Sequence, residues 1–209
     1  MGRAEFGALP ADFELEGPAF ELVYLSTAAP LERRDRCLVA IGELVTFGCN
    51  PTRVTPPSGV ADVALAELRD PHQDTAKAVQ DLRFGGRYSR DPRLGHDAEA
   101  AVYGRWVHEA VGDEARTVVA ETRGQGVLVL GWGDRPRIEL IGVGPDHRGK
   151  GVGRRLGWEA LERCAAAGAA SLEVGTYADN LPAVGLYRSL GFTERARTWR
   201  YHWWPRPAR

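Results

Sequence analysis

The sequence predicts an α/β protein organised around a strand, a glycine-rich turn and a helix that follow one another late in the chain. Three observations carry that prediction. The apolar run Ile138-Glu139-Leu140-Ile141-Gly142-Val143 leads as a strand into the turn Arg148-Gly149-Lys150-Gly151-Val152-Gly153. Beyond the turn, Val152, Leu156, Ala160 and Cys164 recur at helical spacing until Gly168 stops the pattern. Ahead of the run, residues 117–121 and 126–132 read as two apolar strands hinged at Arg123-Gly124-Gln125.

The other elements fall around this unit. Residues 1–18 are polar and turn-rich, ending in Gly17-Pro18. Residues 20–25 alternate as a strand, residues 31–44 behind Pro30 read as a helix, and residues 45–55 read as a further β segment. Pro56-Pro57-Ser58-Gly59 is the clearest boundary, so an N-terminal extension over 1–59 precedes a domain over 60–209. That domain opens with a strand over 60–69 and a helix from Asp70-Pro71 to about residue 82. Residues 83–93 form a loop rich in arginine and aromatics, and residues 98–111 form a helix that Gly112 ends. Past the glycine turn and its helix come a strand over 170–176 and a helix over 181–190, capped by Asn180 with Pro182 in its first turn. A last strand over 197–204 carries aromatics that fill either a sheet face or a dimer seam.

Composition excludes several classes of function. A length of 209 residues supports one domain plus an appendage. The net charge of −1, with both signs interspersed, argues against a nucleic-acid partner. Cys37, Cys49 and Cys164 are odd in number and widely spaced, so they read as reduced thiols of a cytoplasmic protein. Residues 1–6 lack the basic start and apolar core of a signal peptide, and no apolar run approaches the roughly 20 residues of a membrane span. The histidines show no ligand spacing backed by a third donor, so no metal is expected.

The glycine turn is where chemistry is legible. Glycines let the backbone approach an anion, the amides at a helix start point outward, and the helix dipole adds partial positive charge. A phosphate or pyrophosphate is the expected ligand. Residues 144–150 fit a nucleotide-binding P-loop until Gly151 stands where Ser or Thr should bind magnesium. A dinucleotide fingerprint starting at Gly149 fails where Arg154 replaces its last glycine.

Arg148-Gly149-Lys150-Gly151-Val152-Gly153 resembles the pyrophosphate loop of the GNAT acyl-CoA N-acyltransferases, Arg/Gln-x-x-Gly-x-Gly/Ala, at each defined position. Downstream, Asn180-x-x-Ala183-x-x-Leu186-Tyr187-x-x-x-Gly191-Phe192 resembles the second signature of that family. Together with a β-α-β-β-β-α-β-α-β order, the resemblance covers residues 60–204. A narrower resemblance rests on Asp81-Leu82-Arg83-Phe84, Tyr88, Asp91, Tyr103-x-x-Trp106 and the aromatic last strand. These are similar to the acetyltransferases of TDP-linked amino sugars, whose additional N-terminal segment resembles part of a second GNAT unit, as residues 1–59 would.

The resemblance implies a mixed, mostly antiparallel sheet splayed at its centre and flanked by helices. It also implies acetyl-CoA as acyl donor. The pantetheine chain would lie along Ile141, Gly142 and Val143, and the diphosphate on the amides from Gly149 to Gly153, with Arg148, Lys150 and Arg154 adding charge. Asn180 and Ala183 would contact the cofactor chain. Tyr187 would protonate the leaving thiolate, since a phenol is protonated at neutral pH, and Glu139 would accept the amine proton directly or through water. The 83–93 loop itself has two readings: a solvated connector whose Phe84 and Tyr88 plug the core, or an acceptor-binding loop in which Arg83 and Arg87 take phosphate and Phe84 and Tyr88 stack on a base or sugar. The acceptor reads as a small-molecule amine, first a nucleotide-linked amino sugar. The alternatives are an aminoglycoside, an amino acid, a polyamine or a protein amine, or a non-catalytic acyl-CoA sensor.

Overall fold

The computed structural model of the protein describes residues 22–31, 37–56, 63–70 and 85–204. Eight strands form one sheet: β1 Val23–Thr27, β2 Leu38–Cys49, β3 Leu65–Leu68, β4 Arg116–Glu121, β5 Gly126–Gly131, β6 Arg137–Val143, β7 Leu172–Tyr177 and β8 Thr193–Trp203. Three helices accompany them: α1 Gly95–Ala110, α2 Val152–Ala166 and α3 Leu181–Ser189. The spatial order is β1-β8-β2-β7-β6-β5-β4-β3. Each neighbouring pair is antiparallel except β6 with β7. A mixed α/β sheet dominated by antiparallel pairs is what the sequence predicts.

β2 is the main departure. Leu, Ala, Glu and Arg favour helix locally, yet residues 38–49 form a strand threaded between β7 and β8 and paired with both. Two bonded neighbours and the burial of Ile41, Val45, Phe47 and Cys49 override a weak local preference. The expected β segment over 45–55 accordingly stops at Cys49. Asn50 then caps a short 3-10 turn, Pro51–Arg53, by accepting from the Thr52 amide at 3.0 Å. Strands from before and after residue 59 therefore share one sheet. The expected helix over 70–82 and the stretch 1–18 lie outside the described residues, apart from Asp70.

Helices cover both faces. On one face α2 and α3 bury Leu156, Leu161, Cys164, Tyr187 and Leu190 against Val45, Phe47, Leu128, Leu130 and Val174. On the other, Val107 and Ala110 of α1 pack on Val118, Val127, Val129 and Leu140. β5 is buried along its whole length because helices close it from both sides. Apolar burial on this scale, about 25 cal/mol per Å² removed from water, holds the sheet rigid beneath the site.

Candidate active site

The site begins where two parallel strands part. β6 and β7 are paired only through Arg137 with Glu173 and Ile138 with Val174. From Glu139 onward the two strands diverge, so the β7-facing edge of β6 is left outside the sheet ladder. A bulge opposite Val129 and Leu130 marks the same point, with Glu139 as the extra residue between Ile138 and Leu140. An extended chain can add to such an edge by main-chain hydrogen bonds.

At the end of β6 the backbone turns through Pro145–His147 into the glycine turn. Gly149 and Gly151 adopt left-handed conformations, φ 74° and 85°, which a side chain would strain. Gly151 caps α2 with no side-chain hydrogen bond, and no acid stands in the first turn. The amides of the first turn and the positive end of the helix dipole are thus presented to an anion. Lys150 is exposed beside them, and Arg154 is half-buried. Arg148 folds back instead, its Nε donating to the Val143 carbonyl at 3.2 Å.

A cavity of about 720 Å³ extends from the cleft. Glu139, Ile141, Thr176, Asn180, Ala183 and Tyr187 line its inner part, and Arg87, Tyr88, Tyr103 and Trp106 line its outer wall. The fold thus brings Tyr187, Asn180 and Ala183 to the same space as Glu139 and Ile141. Gly142, Val143 and the residues from Arg148 to Arg154 stand beyond its lining. Arg83 and Phe84 lie outside the described residues.

Tyr187 is buried, its ring 6.1 Å from Phe47 and 5.9 Å from Phe192. Burial pushes its phenol above the ordinary range, so it keeps its proton at neutral pH. Asn180 has two roles: Oδ1 accepts from the Ala183 amide at 3.4 Å, capping α3, and Nδ2 donates to Thr176 Oγ1 at 3.2 Å. Glu139 Oε2 accepts from Arg116 Nε at 2.8 Å. That contact with Arg116 fixes where the carboxylate stands on the cavity wall.

The residues at and behind the outer wall combine positions named from the sequence, such as Arg87, Tyr103 and Asp91, with partners from distant stretches. Arg87 lies over the rings of Tyr24 and Tyr88, at 4.9 and 5.2 Å, and so joins β1 to the 85–94 loop. Burial raises the phenols of Tyr103 and Tyr177 to about 12, which leaves both as hydrogen-bond donors and acceptors and not as bases. Asp91 and His202 are buried together, with His202 Nδ1 2.8 Å from Asp91 Oδ2. They are 111 residues apart in sequence; Asp91 belongs to the narrower resemblance and His202 to the aromatic last strand, and nothing local pairs the two. Among the described residues no cluster of His, Cys, Asp or Glu could hold a metal ion, and no helix is long and apolar enough to cross a membrane.

Comparison with known proteins agrees with this geometry. The family model of the Acetyltransferase (GNAT) family matches residues 84–192. The spore coat polysaccharide biosynthesis protein SpsD of Bacillus subtilis (strain 168) is 27% identical over 178 residues, covering 79% of this chain and 58% of SpsD. Streptothricin acetyltransferase of Streptomyces lavendulae is 43% identical over 61 residues, 29% of this chain and 32% of that protein. The chain therefore spans less than two thirds of the length of either relative. Among solved structures, a GCN5-related N-acetyltransferase from Sphaerobacter thermophilus superposes with a TM-score of 0.62 at 16% identity, covering 92% of this chain and 63% of that one. With the splayed β6–β7 pair, the left-handed glycine turn and a family match over more than half its length, the chain belongs to the GNAT family of acetyltransferases.

Proposed function

We propose that the protein transfers an acetyl group from acetyl-CoA to the amine of a small-molecule acceptor, and that the acceptor is a nucleotide-linked amino sugar. The observation that carries the reading is the parting of β6 from β7 after Ile138, which leads from the uncapped start of α2 to a cavity holding Tyr187. The residues fit acetyl-CoA. The first-turn amides of α2 would hold its diphosphate, with Lys150 and Arg154 adding charge, and the open edge of β6 near Ile141 to Val143 would hold the pantetheine. Bound there, acetyl-CoA supplies an activated thioester.

This chain's residues then act on protons and charge. Backbone amides of β6 would stabilise the oxyanion that forms when the amine attacks the carbonyl. Glu139 would take the amine proton, directly or through water. Tyr187 would give its proton to the departing thiolate, and the burial that raises its phenol keeps that proton available across the working range. The cavity wall supports a sugar acceptor in its choice of side chains: Tyr24, Tyr88, Tyr103, Trp106 and Tyr177 provide faces for a ring, and Arg87 and Arg137 provide donors for an anion. The 27% identity to a spore coat polysaccharide biosynthesis protein points in the same direction.

Glu109 and Glu139 on the same wall favour a second reading, a cationic amine such as an aminoglycoside. A thiol-release assay with acetyl-CoA and a panel of TDP-amino sugars, aminoglycosides, amino acids and polyamines tests both. Turnover with the TDP-amino sugars alone supports the first reading; turnover with the aminoglycosides alone replaces it. Absence of thiol release across the panel, with acetyl-CoA bound, removes the catalytic reading.

A further inference from the structure

Asp91 is fully buried and accepts hydrogen bonds on both carboxylate oxygens. Oδ1 accepts from the Arg93 amide at 2.9 Å, and Oδ2 from Trp204 Nε1 at 3.0 Å. The contact of Oδ2 with His202 Nδ1 at 2.8 Å therefore places the imidazole proton on Nδ1, because a carboxylate can only accept. Nε2 is left as a lone-pair acceptor. It is buried and has no hydrogen-bond partner among the described residues, and His202 is one of the residues that line the cavity, with Tyr24, Arg87 and Tyr88. A buried acceptor without a donor weakens a fold, so its retention at a cavity wall points to a donor that arrives with a ligand.

Position defines what that ligand must be. Thr198 on β8 pairs with Leu44 of β2, which pairs with Tyr177 at the cleft end of β7. His202 is two strands away from Tyr177 and four residues further along, about 10 Å across the sheet and about 13 Å along it at ordinary strand spacings. A single hexose with its amine at the cleft is too short to reach it. We infer that His202 Nε2, oriented by Asp91, is the distal anchor of the acceptor pocket and accepts a hydrogen bond from an N–H or O–H of the acceptor at the end remote from its amine. The acceptor is then an amino sugar conjugate that continues past one ring. This rests on the acyl-transfer reading for where the amine sits. The donor comes from one of two sources, the imide N–H of a pyrimidine base or the hydroxyl of a second sugar. Arg87, held over two tyrosine rings beside His202, suits either an anionic linker or a ring edge.

Calorimetry on the full chain without acetyl-CoA tests the anchor separately from catalysis. The probes are TDP, its N3-methyl derivative and β-1,4-linked glucosamine disaccharide. His202→Asn keeps an amide donor for Asp91 while deleting Nε2. For a pyrimidine donor, His202→Asn weakens TDP binding at least tenfold, and N3-methylation weakens binding to the wild type but not further to the variant. A tenfold loss confined to the disaccharide assigns the donor to a hydroxyl and also supports the anchor. In ¹⁵N-histidine spectra of the wild type, the Nε2 resonance shifts on saturation with the probe that binds, a readout that survives a poorly folded variant. Equal affinities in both proteins with an unmoved Nε2 resonance, or no binding of any probe, overturns the inference. Failure to bind acetyl-CoA, by contrast, strikes only at the acyl-transfer reading.

Discussion

Arg90 grips Asp179 by both carboxylate oxygens, at 2.7 and 2.8 Å, while its guanidinium lies 4.1 Å from the centre of the Tyr177 ring. Its Nε also donates to the Gly85 carbonyl at 2.9 Å. One side chain thus ties the loop that forms the outer cavity wall to the turn between β7 and α3. Asp179 is largely exposed, so the ion pair itself contributes about 0–1 kcal/mol. The geometric consequence is larger than the energetic one.

Arg90→Ala is expected to lower the thermal midpoint by only a few degrees, consistent with a cost of about 1–2 kcal/mol for the lost stacking and hydrogen bonds. Its main effect falls on the acceptor: KM for the acceptor amine rises several-fold while acetyl-CoA affinity is unchanged. Initial-rate kinetics with each substrate varied in turn checks the split. A uniform loss in kcat with unaltered KM would place Arg90 elsewhere in the mechanism.

Tyr187→Phe preserves the ring that packs on Phe47 and Phe192 and removes the phenol. Turnover is expected to fall tenfold or more, with acetyl-CoA binding by calorimetry and the thermal midpoint nearly unchanged. Because burial raises the phenol, the alkaline limb of the wild-type rate profile does not come from this group near pH 8. Wild-type turnover in the variant would take Tyr187 out of the chemistry.

Two glycines separate binding from folding. Gly151→Ala forces a side chain onto a residue with φ 85°, a strain of about 1–2 kcal/mol, and displaces the amides presented to the diphosphate, so acetyl-CoA affinity falls with a modest stability loss. Gly157→Ala instead puts a Cβ 2.4 Å from Leu190 Cδ1 between α2 and α3, an overpacking cost of about 1–3 kcal/mol. Paired melting curves and calorimetry check the contrast. Equal affinity losses in both variants would mean that the turn has no specific part in binding.

Acid should destabilise the protein through the buried pair. Burial lowers the pKa of His202, the hydrogen bond and charge of Asp91 raise it, Arg87 lowers it, and the net direction is down. The unfolded chain therefore takes up the proton first, so stability is full above about 6.5 and is lost as pH falls through the folded value. Burial raises the pKa of Asp91, but the Arg93 amide, His202 and Trp204 outweigh it and the net shift is down, which adds a second loss below about 3.9. Tyr24 from β1 and Tyr88 and Arg87 from the loop also face His202, and burial moves the Tyr24 phenol up, further away from this range. Thermal midpoints from pH 8 to pH 5 are expected to fall more steeply for wild type than for His202→Asn; parallel slopes would assign the acid sensitivity to other groups.

By itself the sequence determined what is locally encoded: the strand into 148–153, the glycines that a left-handed turn demands, the helix behind them, the Asn180 cap and the tyrosine seven residues later. Each depends on residues a few positions apart, and backbone sterics and helical periodicity act at that range. Tertiary structure decided the rest. Residues 38–44 became part of a strand because β7 and β8 bond the edges of β2, against a local pattern over 31–44 that reads as helix. His202 met Asp91 because the 85–94 loop packs against the end of β8, and Tyr24, on the strand paired with β8, met Arg87 of the same loop. The outer wall of the cavity comes from such pairings between distant stretches, and burial and sheet register, which act on the whole chain at once, select them.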